Sequence, residues 1–141
     1  MYVDDFLIVG PKDKLNSDIE LVVDTLTDLG WKINYEKSNL APSKNIEYLG
    51  LNIENREDGV PVLKVPDSKI AKVRKDIKRI LKQNAVSARV LSKVAGQCNF
   101  ICKAVLPGRL MLRNVYKLIK SKITWESKLV LNANARNDLL W

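Results

Sequence analysis

Histidine is absent from the 141-residue chain, and cysteine is scarce, with two residues. Without histidine, the chain cannot build a Ser-His-Asp or Cys-His catalytic centre, a histidine-ligated zinc site or an imidazole pH switch. Two cysteines are too few for the disulfide framework of a small secreted domain. These absences exclude several enzyme classes and most soft-metal sites.

Long apolar runs are also missing. No stretch approaches the roughly 18 consecutive apolar residues that a membrane span needs. The N-terminus does not resemble a signal peptide, because Asp4 and Asp5 stand where a basic flank should be. We therefore expect an intracellular protein of the cytoplasm or nucleus that is not secreted and has no membrane partner.

The charge is divided unevenly along the chain, whose formal net charge is +8. Residues 1–66 carry 7 basic and 12 acidic side chains, whereas residues 67–141 carry 17 basic and 4 acidic ones. A strongly positive half is typical of proteins that bind a polyanion, although a solvated basic surface without a partner is the alternative. The asymmetry predicts two functional regions, with Pro66 as their boundary.

The first nine residues carry the sharpest chemical signal. Met1–Val9 is apolar on both sides of an acidic pair and predicts a β-hairpin with Asp4 and Asp5 at its turn, ended by Gly10-Pro11. Adjacent carboxylates suit a hard divalent cation such as Mg²⁺, which prefers oxygen ligands. Aspartate is also a favoured turn residue, so a purely structural turn is the alternative.

The rest of the first half predicts one helix and three strands. A helix capped by Asn16 or Ser17 should end at Gly30. Strands are then expected over 31–35, 46–53 and 60–65, the last two paired antiparallel through the Asp58-Gly59 turn.

The second half predicts helices with basic stripes. Pro66-Asp67-Ser68 begins the first, Ser87 caps the second, and Pro107-Gly108 separates the second from the third. The stripes lie on the first and third helices and comprise Lys72, Lys75, Arg79 and Lys82, and Arg109, Arg113, Lys117 and Lys120. Two such stripes favour contact with phosphates over a merely solvated face.

Two pairs of residues leave alternatives open. Cys98 and Cys102 have helical i, i+4 spacing, which suits a metal, but buried reduced thiols are the more common use. Trp125 and Trp141 have side chains suited to stacking on bases, whereas packing in the terminal helices is the alternative.

The order of the motifs extends the argument. Tyr2-Val3-Asp4-Asp5 and an amphipathic helix are followed by Leu29-Gly30-Trp31, Lys37-Ser38-Asn39 and Tyr48-Leu49-Gly50. This order resembles the palm of a reverse transcriptase, an RNA-directed DNA polymerase, particularly those of DIRS-type and Ty3-like retrotransposons. The resemblance continues through Pro107-Gly108-Arg109-Leu110 to Asp138-Leu139-Leu140-Trp141 and covers nearly the whole chain. It implies an α+β chain: residues 1–66 would form the C-terminal part of the palm, and 67–141 an all-α thumb-like helical bundle with the start of the connection.

The resemblance also implies catalytic roles. Asp4 would be the principal metal ligand for two-metal nucleotidyl transfer with Mg²⁺ or Mn²⁺, and Asp5 a weaker or alternate one. Lys37 is a candidate general acid for the pyrophosphate leaving group, with an ordinary surface lysine as the alternative.

Further residues would hold the substrates of the parent enzyme, an RNA/DNA primer-template duplex and a dNTP. Tyr2 would pack near the primer-template. The residues Tyr48, Leu49 and Gly50 would begin the hairpin that grips the primer 3′ end; a buried hairpin edge is compatible with that role. The basic stripes would hold the duplex by its phosphates.

Polymerases of this family need a further aspartate from an upstream strand, together with the fingers. We therefore expect this polypeptide by itself not to polymerise, and its exposed half-palm to self-associate. A non-catalytic nucleic-acid-binding remnant is the alternative function, and an expressed product with no role is the third.

Overall fold

A computed structural model describes residues 4–141 of the chain. Its elements are α1 (Leu15–Asp28), β1 (Asn45–Tyr48), β2 (Leu51–Asn55), β3 (Pro61–Lys64), α2 (Asp67–Leu81), β4 (Ala85–Ser87), α3 (Ala88–Ile101), a 3-10 helix (Leu106–Leu112), α4 (Arg113–Lys120), β5 (Lys128–Val130) and α5 (Ala133–Leu140). The described residues thus form five α-helices, an antiparallel sheet ordered β1-β2-β3, and a two-stranded sheet of β4 and β5. The predicted α+β class is confirmed.

The chain divides into two compact units, an N-terminal unit ending at Leu63 and a C-terminal unit over Lys64–Trp141. This division falls close to Pro66, where the charge changes sign. The correspondence of the units to a palm and a thumb stays a prediction. No helix of residues 4–141 is long and apolar enough to cross a membrane.

Helix α1 ends as its sequence predicts but begins earlier. Gly30 adopts a φ of 83°, its N–H donates to Thr27 O, and the N–H of Trp31 donates to Leu26 O. These two bonds form a Schellman cap, which favours glycine because the left-handed conformation is free of Cβ strain. The predicted cap at Asn16 or Ser17 is wrong, since Lys14 is the N-cap and a turn on Pro11 O starts the helix.

The strands of the N-terminal unit differ from their predictions. Residues 6–10 and 31–34 are in no strand, so the described arm of the predicted hairpin and the predicted strand 31–35 are wrong. Alternation alone does not make a strand, because its backbone groups need a neighbouring strand as partner.

The segment 46–53, predicted as one strand, folds back on itself as β1 and β2, turning at Leu49-Gly50. The Asp58-Gly59 turn is confirmed, with Gly59 at a φ of 76°.

Burial is concentrated in the C-terminal unit. Leu51, 7% exposed, is the single buried residue among the described residues of the N-terminal unit. The core of the C-terminal unit joins α2, α3, α4, α5, β4 and β5 through Ile80, Val86, Ala88, Leu91, Val94, Ala95, Val115, Ile119, Leu129, Leu131, Ala135 and Leu139. Apolar burial is the main driving force of folding, so the C-terminal unit has far more of its stabilisation within itself.

The C-terminal unit is not the all-α bundle that its sequence predicts. Ala85–Ser87 and Lys128–Val130 pair antiparallel, with Val86 opposite Leu129. The segments are three residues long, too short for their alternation to register in the sequence. Ser87 ends β4 and caps α3 as predicted, its hydroxyl accepting from Val90 N.

Two polar side chains of α5 lock the helices together. The guanidinium of Arg136 donates to the carbonyl of Leu81, the last residue of α2, and to that of Gln83 just beyond it. The carboxylate of Asp138 accepts from the backbone N–H groups of Asn114 and Val115. Asp138 therefore caps α4 from another helix, where negative charge also complements the helix dipole.

Helix α3 ends at Ile101, well before the predicted stop at Pro107-Gly108. Lys103 and Ala104 donate to carbonyls three residues earlier, which tightens the helix end. Pro107 then lies at the start of the 3-10 helix, and Gly108 packs directly against Cys102.

Candidate functional site

The acidic turn is exposed and tied to the β1–β2 hairpin. Asp4 and Asp5 both face solvent, and Tyr2, the other predicted contact, lies outside the described residues. The hydroxyl of Tyr48 donates to the backbone carbonyl of Asp5 at 3.1 Å. The structure therefore brings together two predicted site residues, Asp5 of the acidic turn and Tyr48 of the predicted primer-contacting hairpin.

The turn offers oxygen ligands without forming a complete metal site. Two adjacent exposed carboxylates have the chemistry that Mg²⁺ or Mn²⁺ prefers. Within residues 4–141, no three side chains of His, Cys, Asp or Glu cluster closely enough to hold a metal ion. The donors present fit a divalent cation in type, and Asp4 and Asp5 are the residues that would contact it.

The tip of the β1–β2 hairpin carries a strained leucine. Leu49 has a φ of 48° and Gly50 a φ of 75°, the pattern of a two-residue type I′ turn. The sequence favoured at such a turn is Asn-Gly, because a non-glycine residue is strained there. Leu49 is nevertheless 39% exposed at the tip. Strain at an exposed apolar residue supports a contact role for this side chain.

Lys37 lies in a turn over residues 35–37 and has an exposed side chain. Its N–H donates to the backbone and side-chain oxygens of Asn34, each at 3.2 Å. These contacts fix its backbone position and leave its proposed acid role a prediction.

The stripe on α2 is exposed as predicted. Lys72, Lys75, Arg79 and Lys82 are exposed along the helix, opposite buried Val73 and Ile80. Arg79 also pairs with the carboxylate of Asp76 at 3.1 Å. Because Arg79 is already paired, Lys72, Lys75 and Lys82 are the stronger candidates for phosphate contact.

The second stripe is broken between two elements. Arg113, Lys117 and Lys120 are exposed on α4, whereas Arg109 lies in the preceding 3-10 helix. The prediction of one continuous helix is wrong here, because the 3-10 helix has 3.0 residues per turn and shifts the register of its side chains. All four cations are exposed on the same C-terminal unit.

A third basic face, on α3, was missed by the sequence prediction. Arg89, Lys93, Gly96 and Phe100 share one side of the helix, Lys103 follows in the turn after its end, and all but the half-buried Phe100 are exposed. A Cβ added at Gly96 would meet no atom within 4 Å. The missed signal was the i, i+4, i+7, i+11 spacing, together with a helical glycine, which costs about 1 kcal/mol and usually has a packing or functional reason.

Cations surround the aromatic ring of that face. The ammonium groups of Lys69 and Lys103 lie 4.9 Å and 5.4 Å from the centroid of Phe100. Both distances are within the range of a cation–π attraction, which holds the two side chains near the ring. The α3 face therefore combines positive charge, an aromatic edge and an open position at Gly96.

The two cysteines are half-buried, so they follow the alternative of buried, reduced thiols only in part. Cys98 packs against the core, and both thiols are free. Burial, followed by the nearby Cys102, raises the pKa of Cys98 from 9.0 to about 11. Burial also raises the pKa of Cys102, which favours inert thiols over metal-binding thiolates.

The fold and these surfaces define a mixed α+β protein with a basic, largely helical C-terminal unit and an exposed acidic turn. Over 125 residues, 88% of this chain, it is 28% identical to Protein P of duck hepatitis B virus (isolate brown Shanghai duck S5). Over the same length it is 25% identical to Protein P of heron hepatitis B virus. The chain spans about 15% of the length of these curated relatives. It is thus distantly similar to a segment of the hepadnaviral polymerase.

No protein-family model matches the chain. No solved structure matches it either.

Proposed function

We propose that this chain is a segment of a retroelement reverse transcriptase, an RNA-directed DNA polymerase that works by two-metal nucleotidyl transfer. The similarity to Protein P, a polymerase that contains a reverse transcriptase, carries this proposal. Because 125 of 141 residues align, most of both units must take part. The N-terminal unit then corresponds to part of the palm, and the C-terminal unit to the thumb. The motif order is what supports a DIRS-type or Ty3-like retrotransposon as the source of the element.

The acidic turn supplies the chemical part of the proposal. Asp4 and Asp5 would hold the divalent cation, which activates the attacking hydroxyl and stabilises the leaving oxygen in enzymes of this kind. The Tyr48 hydroxyl fixes the backbone beside Asp5, and the tip at Leu49 presents an apolar side chain to the primer. Lys37 would donate a proton to the leaving pyrophosphate.

The C-terminal unit supplies the binding part. The exposed cations of α2, α3 and α4 suit the phosphates of a primer-template duplex, which set affinity without reading sequence. The open position at Gly96 lets a nucleic-acid backbone approach α3 closely, because no side chain stands there.

A salt titration with a primer-template duplex tests the binding part. Each lost phosphate contact should lower the slope of log affinity against log salt by about 0.9. We therefore expect Lys72→Glu, Lys75→Glu and Lys93→Glu to flatten that slope and weaken binding. The control is Lys12→Glu with Lys32→Glu, exposed cations of the N-terminal unit, which should leave the slope unchanged. Negligible binding by the unaltered protein at low salt would refute the proposal.

A primer-extension assay with Mg²⁺ tests the catalytic part. The resemblance requires a further aspartate beyond Asp4 and Asp5, so we expect no extension by this polypeptide alone. Extension that disappears in Asp4→Asn would instead show a self-sufficient polymerase and overturn that expectation.

A non-catalytic nucleic-acid-binding module is the second candidate. It is favoured by the distribution of burial, because almost the whole core lies in the C-terminal unit with the basic faces. Duplex binding that survives Asp4→Asn, with no primer extension even when the palm segments of a relative that this chain does not match are added as a separate polypeptide, would select this candidate.

A further inference from the structure

An exposed tryptophan stands on the loop between α4 and β5. Trp125 is 48% exposed, and neighbouring Ile123 is 94% exposed. The sequence alternative of packing in a terminal helix does not apply to Trp125, because residues 121–127 are outside any helix. About half of the surface of this indole is therefore accessible to solvent and free to contact a ligand.

The loop that carries this ring is firmly anchored. The carbonyl of Trp125 accepts from Arg89 N at 2.9 Å, and the carbonyl of Ser127 accepts from Ala88 N at 3.0 Å. The hydroxyl of Ser127 accepts from Thr124 N at 2.9 Å. The two bonds from Ala88 and Arg89 satisfy the first N–H groups of α3, and all three bonds fix the backbone of the loop that carries the indole.

The charges around the Trp125 ring suit a ligand that carries a negative group next to a flat ring. The ammonium of Lys122 lies 4.1 Å from the Trp125 ring centroid. The Arg89 side chain, at the start of the basic α3 face, pairs with Glu126 at 2.7 Å, which neutralises the nearby carboxylate. The ring therefore adjoins the start of the α3 face, with the Lys122 ammonium over one side of the ring and about half of the Trp125 surface still exposed.

We propose that Trp125 is a stacking platform for an unpaired base where a nucleic-acid strand leaves the duplex on the α3 face, with Lys122 taking the adjoining phosphate. This inference rests on the proposed nucleic-acid binding. Aromatic side chains stack on bases of any sequence, and cationic neighbours track the backbone. A paired base inside a duplex has no free face for the ring, so the ligand is a single-stranded extension.

The test compares a blunt duplex with the same duplex carrying a single-stranded overhang. Trp125→Ala should weaken binding of the overhang substrate about fivefold or more and leave blunt-duplex affinity unchanged. Trp125→Phe should restore most of the loss, since phenylalanine also stacks. Trp141→Ala is the matched control, because Trp141 is 62% exposed at the end of α5 and should behave as the unaltered protein does.

Fluorescence gives a readout that does not depend on the alanine variant folding. In a Trp31→Phe, Trp141→Phe protein, Trp125 is the one remaining tryptophan. Its emission should be quenched by the overhang substrate and hardly by the blunt duplex.

Unchanged emission with both substrates, or equal weakening of the binding of both by Trp125→Ala, would refute the stacking role of Trp125. Either result would leave the proposed duplex binding standing. Failure of the unaltered protein to bind either substrate would refute the proposed function itself. Loss of binding to anionic lipid vesicles in Trp125→Ala, with overhang affinity unchanged, would assign the ring to a lipid surface and overturn the inference.

Discussion

The hydroxyl of Tyr48 reaches back 43 residues to donate a hydrogen bond to the backbone carbonyl of Asp5, at 3.1 Å. This bond joins the acidic turn to the first strand of the β1–β2 hairpin. The acidic turn is therefore positioned by a side chain from a separate element. Phe6, the residue after Asp5, also packs edge to face against the ring of Trp31, with ring centroids 6.3 Å apart.

Tyr48→Phe should loosen the acidic turn without altering its charge. The variant loses one hydrogen bond, worth about 0.5–1.5 kcal/mol. We expect faster amide hydrogen exchange at residues 4–10 and little change in the C-terminal unit. Tyr35→Phe, at an exposed tyrosine, is the control. Equal exchange rates in the two variants would show that the bond does not hold the turn.

Leu49→Asn should stabilise the β1–β2 hairpin. Leu49 sits at a φ of 48°, which asparagine tolerates better, and Asn-Gly is the favoured type I′ pair. We expect a gain of about 0.5–1 kcal/mol, measured as slower exchange at Asn45–Tyr48 and Leu51–Asn55. If Leu49 contacts the primer, the same variant should bind primer-template more weakly. A less stable hairpin would contradict the strain argument.

Two glycines should respond oppositely to alanine. A Cβ at Gly108 would lie 2.5 Å from the sulfur of Cys102, so Gly108→Ala should cost about 1–3 kcal/mol. Gly96 is helical with open space around it, so Gly96→Ala should stabilise by up to about 1 kcal/mol. Urea unfolding measures both. Adding Cys102→Ala should recover part of the Gly108→Ala loss, and no recovery would place the clash elsewhere.

Asp138 should contribute far more to the free energy of unfolding than Glu126, an exposed acid of the same unit. Its carboxylate accepts from Asn114 N at 2.6 Å and from Val115 N at 3.1 Å. Removing it leaves the start of α4 uncapped, so Asp138→Ala should cost about 1.5–3 kcal/mol in urea unfolding. Glu126→Ala breaks an exposed ion pair and should cost less than about 1 kcal/mol. Similar losses would refute the capping role.

Alkaline pH should destabilise the C-terminal unit through Cys98. Burial raises the pKa of its thiol from 9.0 to about 11, so the unfolded chain loses this proton first. The contribution to stability is complete below pH 9 and declines as the pH rises through 11. Urea unfolding between pH 7 and 10.5 should show a shallower decline in Cys98→Ala. Identical slopes would remove Cys98 as the cause.

The helices were the most predictable part of the fold. The apolar spacing of α2 placed Val73 and Ile80 inside, and Gly30 ended α1 as expected, because these signals act within one or two turns of chain. The strand predicted at 31–35 failed, since a strand also needs a partner that local alternation cannot supply. The paired segments Ala85–Ser87 and Lys128–Val130 were missed for the converse reason: their partners lie far apart in sequence.

The candidate site shows the same limit. Composition and motif order singled out Asp4, Asp5 and the basic stripes, because residue type and spacing carry that information directly, whereas the turn at Leu49-Gly50 lay inside the single strand predicted over 46–53. The bond between Tyr48 and Asp5 depends on the path of the chain between them and was unpredictable from either residue. The α3 face around Gly96 could have been predicted from the sequence, because its residues recur at helical spacing.

The sequence by itself determined the absence of histidine chemistry, the division of charge near Pro66 and the identity of the helical faces, since these depend on residue type and on short-range periodicity. The tertiary structure alone decided which distant groups meet. It placed Asp138 at the start of α4 and Arg136 on the carbonyls at the end of α2, and it left the Trp125 ring half exposed with the Lys122 ammonium over it. Such contacts form only when the core brings remote segments together, and no local pattern encodes that.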